Sequence, residues 1–189
     1  MTNVAAAVFA SGTGSNFQAI MNQDGRFCDI ALLVCDKPGA PVINKAEELG
    51  VKTFIFNPKE YESKADYERV LLEKLREKDV SWVLLAGYMR IVGPTLLGEF
   101  PARIINIHPS LLPDFPGLNA IGQAYDAGVD TTGVTVHYID AGVDTGPIIE
   151  QQEVPIHPDD TEEQLTERIQ EVEHTLYPQV IRRVVEENS

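Results

Sequence analysis

Short apolar runs alternate with stretches of helical periodicity along most of this chain, and this alternation constrains its fold more than any other feature. The first unit is VAAAVFA at residues 4–10, followed by the turn SGTGSN at 11–16 and then a stretch with apolar residues at helical spacing. Further strands are predicted at 29–36, 51–57, 82–87 and 103–108, and helices at 41–50, from Ser63 onward and at 94–100. Continuous apolar runs are typical of buried parallel strands. The sequence therefore predicts an α/β fold with a mostly parallel central sheet covered on both faces.

In the last third of the chain, the sequence pattern predicts two more strands and a helix. The strands are expected at 132–140 and 148–156, on either side of the turn AGVDTGP, and the helix from about Thr161, with a kink at Pro178. The proline-rich stretch HPSLLPDFPG, which precedes them, cannot remain regular. Because 189 residues without repeats or linkers suit one core, a single domain over 1–189 is expected.

Composition argues against several classes of protein. The net charge of -14 repels a phosphate-rich polymer, so no nucleic-acid partner is expected. No apolar run approaches the roughly 20 residues that span a bilayer, and no secretory leader is recognisable, so a cytoplasmic protein without membrane contact is expected. The spacing of the two cysteines and four histidines suits no zinc or redox motif, so no metal is expected.

The turn SGTGSN occupies a common position for phosphate binding, the first strand-to-helix turn of an α/β sheet. Gly14 permits a left-handed backbone, while Ser15 and Asn16 offer amides to an anion. A plain tight turn remains the alternative interpretation. A dinucleotide-binding fingerprint would require glycine where Phe17 stands, although Asp36 after the second strand leaves weak support for it.

A polar cluster is predicted around the fifth strand. Asn106 and His108 alternate with apolar residues, so both side chains leave the same face of that strand. Asp144 lies in the turn between the next two strands, where it could orient His108 and raise its affinity for a proton. Either strand residue alone would more often have a structural role. Together the three suit attack of an amine on a carbonyl, with Asn106 and protonated His108 as donors to the oxyanion.

Several motifs carry a resemblance to a known family. SGTGSN, LAGYMRIVGP, INIHPSLLPDFPG, VTVHYIDAGVDTGPII and the terminal EHTLYP resemble the phosphoribosylglycinamide formyltransferases, which are folate-dependent formyltransferases. The resemblance extends over essentially the whole chain. It implies a Rossmann-like three-layer formyltransferase fold, with Asn106, His108 and Asp144 as the catalytic residues. The implied reaction of purine biosynthesis moves the formyl group of 10-formyltetrahydrofolate to the amine of 5-phosphoribosylglycinamide.

The resemblance also implies which residues bind the two small-molecule substrates. The ribonucleotide side would be formed by Gly14, Ser15, Asn16, Gln170 and Glu173. The folate side would be formed by Lys64, Met89, Arg90, Ile91 and Val92, together with Asn106. Lys64 stands where the family often has arginine, and Asp114 occupies a site that is usually basic or small. The resemblance leaves a monomer and a homodimer equally open.

Three other functions compete with this prediction. A formyltetrahydrofolate hydrolase would share the three catalytic residues, but it normally carries an additional N-terminal module. A methionyl-tRNA formyltransferase would be expected to have a basic nucleic-acid-binding domain, which the charge of -14 disfavours. A non-catalytic phosphate-binding α/β module would need only the turn SGTGSN, and not the polar cluster.

Overall fold

The computed structural model describes residues 4–23 and 27–188, which form one sheet flanked by helices. The strands are β1 (Val4–Ala10), β2 (Cys28–Cys35), β3 (Thr53–Ile55), β4 (Val80–Leu85), β5 (Ile104–His108), β6 (Thr131–Tyr138) and β7 (Ile148–Pro155). The helices are α1 (Ser15–Met21), α2 (Pro41–Glu48), α3 (Lys64–Glu77), α4 (Pro94–Glu99), α5 (Ala120–Ala127) and α6 (Glu162–Glu187).

The sheet has the strand order β3-β2-β1-β4-β5-β6-β7. Neighbours from β3 to β5 pair in parallel, whereas β6 is antiparallel to both β5 and β7. The predicted α/β fold with a mostly parallel sheet is thus confirmed. From β1 the chain builds outward through β2 and β3, and it then returns to place β4 on the other side of β1. In open α/β sheets, ligands bind beyond the carboxyl ends of the strands at such a reversal.

The three layers follow from the alternation of side chains along β1. Ala6, Val8 and Ala10 belong to one buried cluster, which includes residues of α1, α2 and α6. Ala7 and Phe9 point the other way, into a second cluster with residues of α3 and α4. Because successive side chains of a strand leave opposite faces, a wholly apolar strand requires cover on both sides.

The last helix, α6, contacts β4 near the reversal. It begins with a capping box in which Thr161 and Gln164 bond reciprocally, and it continues through Pro178 to Glu187. The hydroxyl of Tyr177 is buried and donates to the carbonyl of Leu85 at 2.6 Å. No helix in the described ranges is long and apolar enough to cross a membrane.

Candidate active site

A cleft of about 670 Å³ opens at the carboxyl ends of β4 and β5. Asn106, His108 and Asp144 all line it, although Asp144 is distant from the other two in sequence. Its remaining walls come from the segment 87–92 after β4, the loop and helix at 117–121, the turn around Val143, and α6. The polar cluster predicted from the sequence is therefore brought together at the sheet reversal, where ligands are expected.

The pairing of β5 with β6 determines which side chains surround the cluster. Asn106 and His108 lie two residues apart on one face of β5, as predicted. In the antiparallel register Asn106 is opposite His137, and His108 is opposite Thr135. Directly opposed residues of an antiparallel pair bring their side chains together on the same face. His137 thereby becomes part of the cluster.

His108 is buried, with one ring nitrogen hydrogen-bonded to a backbone carbonyl and the other beside a carboxylate. Nε2 lies 2.9 Å from the carbonyl oxygen of Phe115, and since a carbonyl can only accept, Nε2 carries the proton. Nδ1 lies 3.6 Å from Asp144 Oδ2. That distance is longer than a hydrogen bond, so in the imidazolium form, which carries a proton on both nitrogens, Nδ1 can donate to a ligand oxygen.

Asp144 connects the turn after β6 with the loop after β5. Its Oδ2 accepts from the backbone N–H of Gly117 at 2.7 Å, which fixes the carboxylate beside His108. The residue has a left-handed backbone with φ of 54°, a conformation that costs energy in a non-glycine residue. A side chain at Gly146 could not be accommodated in this turn, because a Cβ would lie 1.8 Å from the carbonyl oxygen of Tyr138.

His137 is fully buried and orients the amide of Asn106. Its Nδ1 lies 2.9 Å from the carbonyl oxygen of Tyr138 and must donate to it, so Nε2 can accept from Asn106 Nδ2 at 3.4 Å. Burial lowers the pKa of His137, and this effect outweighs the Tyr138 carbonyl and Asp144, which both raise it. The neutral ring thus holds the Asn106 NH₂ group, and one N–H of that group remains for a ligand.

Residues predicted for the ribonucleotide meet where α1 and α6 approach each other. Asn16, Gln170 and Glu173 line the cleft. Gly14 and Ser15 immediately precede Asn16 at the start of α1, and Ser15 lines a separate surface groove. Gly14 has φ of 78°, and a Cβ there would lie 2.5 Å from the side chain of Val42, so this turn requires glycine. The first amides of α1 have no partner within the helix and can receive an anion.

Two buried polar groups lie side by side in this part of the cleft. Burial raises the pKa of Glu173 to about 7, although a hydrogen bond with Asn16 opposes the increase. Asn16 Oδ1 is also buried and has no hydrogen-bond partner among the described residues. A buried acceptor without a partner is costly, and it suits a ligand that brings a hydroxyl or amine donor.

The segment 88–92, which we call the donor segment, forms an apolar rim of the cleft. Met89 and Ile91 are exposed while Val92 is buried, and Met89, Arg90, Ile91 and Val92 all line the cleft as expected for a folate side. Exposed apolar side chains gathered around a concave site are typical of ligand binding. Lys64, by contrast, does not line the cleft, and its ammonium group donates to the carbonyl of Ile91 at 2.7 Å.

Among the described residues, the candidate metal-binding side chains and the cysteines lie apart from any metal-binding arrangement. In residues 4–23 and 27–188, no three His, Cys, Asp or Glu side chains come together as potential metal ligands. Cys28 and Cys35 are both buried, at the two ends of β2. Both belong to the core cluster on one face of the sheet.

Comparison with known proteins identifies the family. The model of the formyl transferase family matches residues 4–181. The chain belongs to the formyl transferase family. It is 52% identical to phosphoribosylglycinamide formyltransferase of Bacillus subtilis (strain 168), over 95% of this chain and 93% of that protein. It is also 40% identical to the trifunctional purine biosynthetic protein adenosine-3 of Drosophila melanogaster, but over only 14% of that longer protein.

Solved structures of this family have the same fold as the chain. Glycinamide ribonucleotide transformylase 1 from Geobacillus kaustophilus matches with a TM-score of 0.94 at 55% identity, covering 96% of this chain and 98% of the other. Phosphoribosylglycinamide formyltransferase from Streptococcus pneumoniae TIGR4 matches with a TM-score of 0.92 at 48% identity, covering 96% and 99%. The formyltransferase fold that the resemblance implied is confirmed by these matches.

Proposed function

We propose that this chain transfers the formyl group of 10-formyltetrahydrofolate to the amine of 5-phosphoribosylglycinamide, a step of purine biosynthesis. Membership in the family, with relatives named for this activity over nearly their full length, supports the reaction. The observation that carries the assignment of residues is the convergence of Asn106, His108 and Asp144 in one cleft, whose lining includes both apolar and polar groups. We further propose that residues 1–189 act as one catalytic domain.

The two ends of the cleft suit the two substrates. The apolar donor segment would flank the folate, with its backbone groups available for the pterin ring. The opposite end, with Asn16, Gln170 and Glu173, would receive the ribonucleotide, whose phosphate would lie at the amides of Gly14, Ser15 and Asn16. In this arrangement the formyl carbon and the attacking amine would meet at the polar cluster, which lines the same cleft.

The reaction requires one bond to form and one to break at the formyl carbon. The amine nitrogen attacks that carbon, the carbonyl oxygen gains negative charge, and the bond to N10 of the folate then breaks. Asn106 Nδ2 and His108 Nδ1 would donate hydrogen bonds to the developing oxyanion. The attacking amine loses one proton, which Asp144 would accept, directly or through water, and N10 of the leaving tetrahydrofolate gains one.

Lys64 has a supporting role in this proposal. Because its ammonium group bonds the Ile91 carbonyl, it would stabilise the donor segment without contacting the reacting atoms. His137 would act in the same indirect manner, by holding the amide of Asn106 in the orientation that donates to the substrate. Neither side chain needs to contact substrate to influence the rate.

The proposal carries over the remaining expectations from the sequence. These are a cytoplasmic protein that acts on small molecules as a monomer or homodimer, with folate as its co-substrate. The acidic chain, with a net charge of -14, remains a poor match for nucleic acid.

Absorbance-monitored conversion of 10-formyltetrahydrofolate by the purified protein, with and without 5-phosphoribosylglycinamide, tests the activity. Conversion that depends on the ribonucleotide is the expected result. Equal conversion without it would instead indicate a hydrolase, and no conversion by well-folded protein would indicate a binding module. The assay therefore separates the proposed transferase from the hydrolase and from the binding module.

A further inference from the structure

Asp36 is a buried carboxylate that the proposed chemistry does not use. It follows β2 directly and is 3% exposed. Its Oδ1 accepts from the hydroxyl of Ser11, and its Oδ2 accepts from Arg90 Nε at 3.1 Å. Both oxygens therefore have protein partners, so Asp36 is not available for the ribose contact that a dinucleotide-binding fold would require.

Ser11 links Asp36 to the donor segment through hydrogen bonds. The hydroxyl has one proton, which it gives to Asp36, so its oxygen can accept the backbone N–H of Met89 at 2.9 Å. A negative partner polarises such a hydroxyl and strengthens the bond that it accepts. The backbone of Ser11 adds a second connection, because its N–H donates to the carbonyl of Gly87 at 3.1 Å.

Arg90 is the second connection between Asp36 and the donor segment. Only its Nε contacts Asp36, while the side chain lines the cleft and is 40% exposed. The carboxylate thus fixes the base of the guanidinium group of a side chain that lines the cleft. Asp36 consequently holds two successive residues of the donor segment, Met89 through Ser11 and Arg90 directly.

We infer that Asp36 is a positioning residue for the formyl donor, acting through Ser11 and Arg90 on the conformation of the donor segment. This inference rests on the proposed function, because it assigns the segment to the folate. Asp36 does not touch the reacting atoms, so its loss should weaken binding of the donor much more than it slows the chemical step.

Independent anchors hold the other end of the segment, which allows Asp36 to be tested separately. From α3, Lys64 donates to the carbonyl of Ile91, and the buried Glu68 accepts from the N–H of Gly93 at 2.8 Å. These contacts remain when Asp36 is changed. A substitution at Asp36 should therefore loosen residues 88–90 without unfolding the cleft.

Two conservative variants separate the two connections. Asp36→Asn keeps an acceptor for Ser11 but presents an NH₂ group to Arg90 Nε, so Arg90 is released. Ser11→Ala removes the acceptor of the Met89 N–H and leaves Asp36 charged. We expect each variant to raise the KM for the formyl donor about fivefold, the effect of one lost hydrogen bond. Turnover and the KM for the ribonucleotide should change less than about twofold.

Asp160→Asn provides a matched control. Asp160 is also a poorly exposed carboxylate paired with an arginine, Arg168, at 2.7 Å, but neither residue lines the cleft. This variant should lower the midpoint of thermal unfolding and leave the donor KM at the wild-type value. A KM increase common to all three variants would show a general loss of structure, and it would overturn the positioning role.

Two further measurements complete the test. Amide exchange followed by NMR should be faster at Met89 in Ser11→Ala and unchanged in the same variant at Gly93, whose N–H donates to Glu68. The double variant should raise the donor KM by about the product of the two single effects, because each variant removes a different connection between Asp36 and the donor segment. A donor KM for Asp36→Asn equal to that of wild type would overturn the inference while wild-type transfer upholds the function. Wild-type protein that neither binds nor converts 10-formyltetrahydrofolate would overturn both.

Discussion

Glu173 gives the folded protein a dependence on pH that can be calculated. The carboxyl is 8% exposed on α6, and burial raises its pKa from 4.5 to about 7 despite the hydrogen bond with Asn16. The folded state therefore holds this proton more tightly than the unfolded state. Its contribution to stability is fully present below pH 4.5 and is lost as the pH rises toward 7. The gap between the two values corresponds to about 3 kcal/mol, at about 1.4 kcal/mol per pKa unit.

Replacing Glu173 with glutamine removes this dependence and keeps the shape of the side chain. Between pH 5 and pH 8, the stability of wild type should fall relative to Glu173→Gln by about 2.5 kcal/mol, the part of the total that linkage assigns to this interval. The glutamine amide still offers an oxygen to Asn16, so the local hydrogen bond survives. The variant should therefore be the more stable protein at pH 8.

Urea unfolding of both proteins at pH 5 and pH 8 measures the effect, with free energies extrapolated to water. Glu171→Gln is the control, because Glu171 is an exposed carboxylate on the same helix and reports the general effect of losing one negative charge. A stability difference between wild type and Glu173→Gln that stays constant between the two pH values would refute the assignment of a raised pKa to this buried group.

Three further predictions follow from individual contacts. Asp144→Asn should lower turnover at least about a hundredfold with ribonucleotide binding retained, as steady-state kinetics and calorimetry would show; normal turnover would contradict its role. Gly14→Ala should weaken ribonucleotide binding and lower the unfolding midpoint, because the new Cβ would lie 2.5 Å from Val42; an unchanged dissociation constant would argue against the phosphate assignment. Tyr177→Phe should lower the free energy of unfolding by about 1 to 3 kcal/mol at unchanged turnover, since it leaves a buried carbonyl without its donor. Denaturant unfolding measures this loss, and a free energy equal to that of wild type would contradict the prediction.

Much of the fold could be predicted from periodicity, because the strands of a parallel sheet and its covering helices leave clear patterns. β1 was predicted with the boundaries that the structure has, and the helices predicted from Ser63 and from about Thr161 begin directly after these residues. The helix predicted at 41–50 ends at Glu48, and the strand predicted at 51–57 is limited to Thr53–Ile55. Such ends depend on tertiary contacts, which periodicity does not report.

α5 was absent from the prediction for a physical reason. It begins after Asn119, which has a left-handed backbone with φ of 55° and no side-chain cap. Asn119 is a residue type that often precedes a helix, but the segment after it is short and contains Gly122, which lowers its helix propensity. The proline-rich stretch before Asn119 also makes the start of α5 difficult to recognise in the sequence.

The candidate site was predictable only where the pattern is local. Asn106 and His108 stand out because polar residues alternate with isoleucines in a short strand. The role of His137 could not be predicted from the sequence, because it depends on the antiparallel register of β5 and β6, which places His137 opposite Asn106. Lys64 was predicted beside the reactive region of the folate, and the structure shows its contact with the Ile91 carbonyl. Sequence spacing does not specify a register between strands that are distant in the chain.

The most direct test follows the formyl group itself. Protein is incubated with 5-phosphoribosylglycinamide and 10-formyltetrahydrofolate carrying ¹³C in the formyl group, and NMR reports where the label goes. The account predicts label on the glycinamide amine, at a rate at least about a hundredfold lower in His108→Ala. Label released as formate, or transfer by His108→Ala at the wild-type rate, would contradict it.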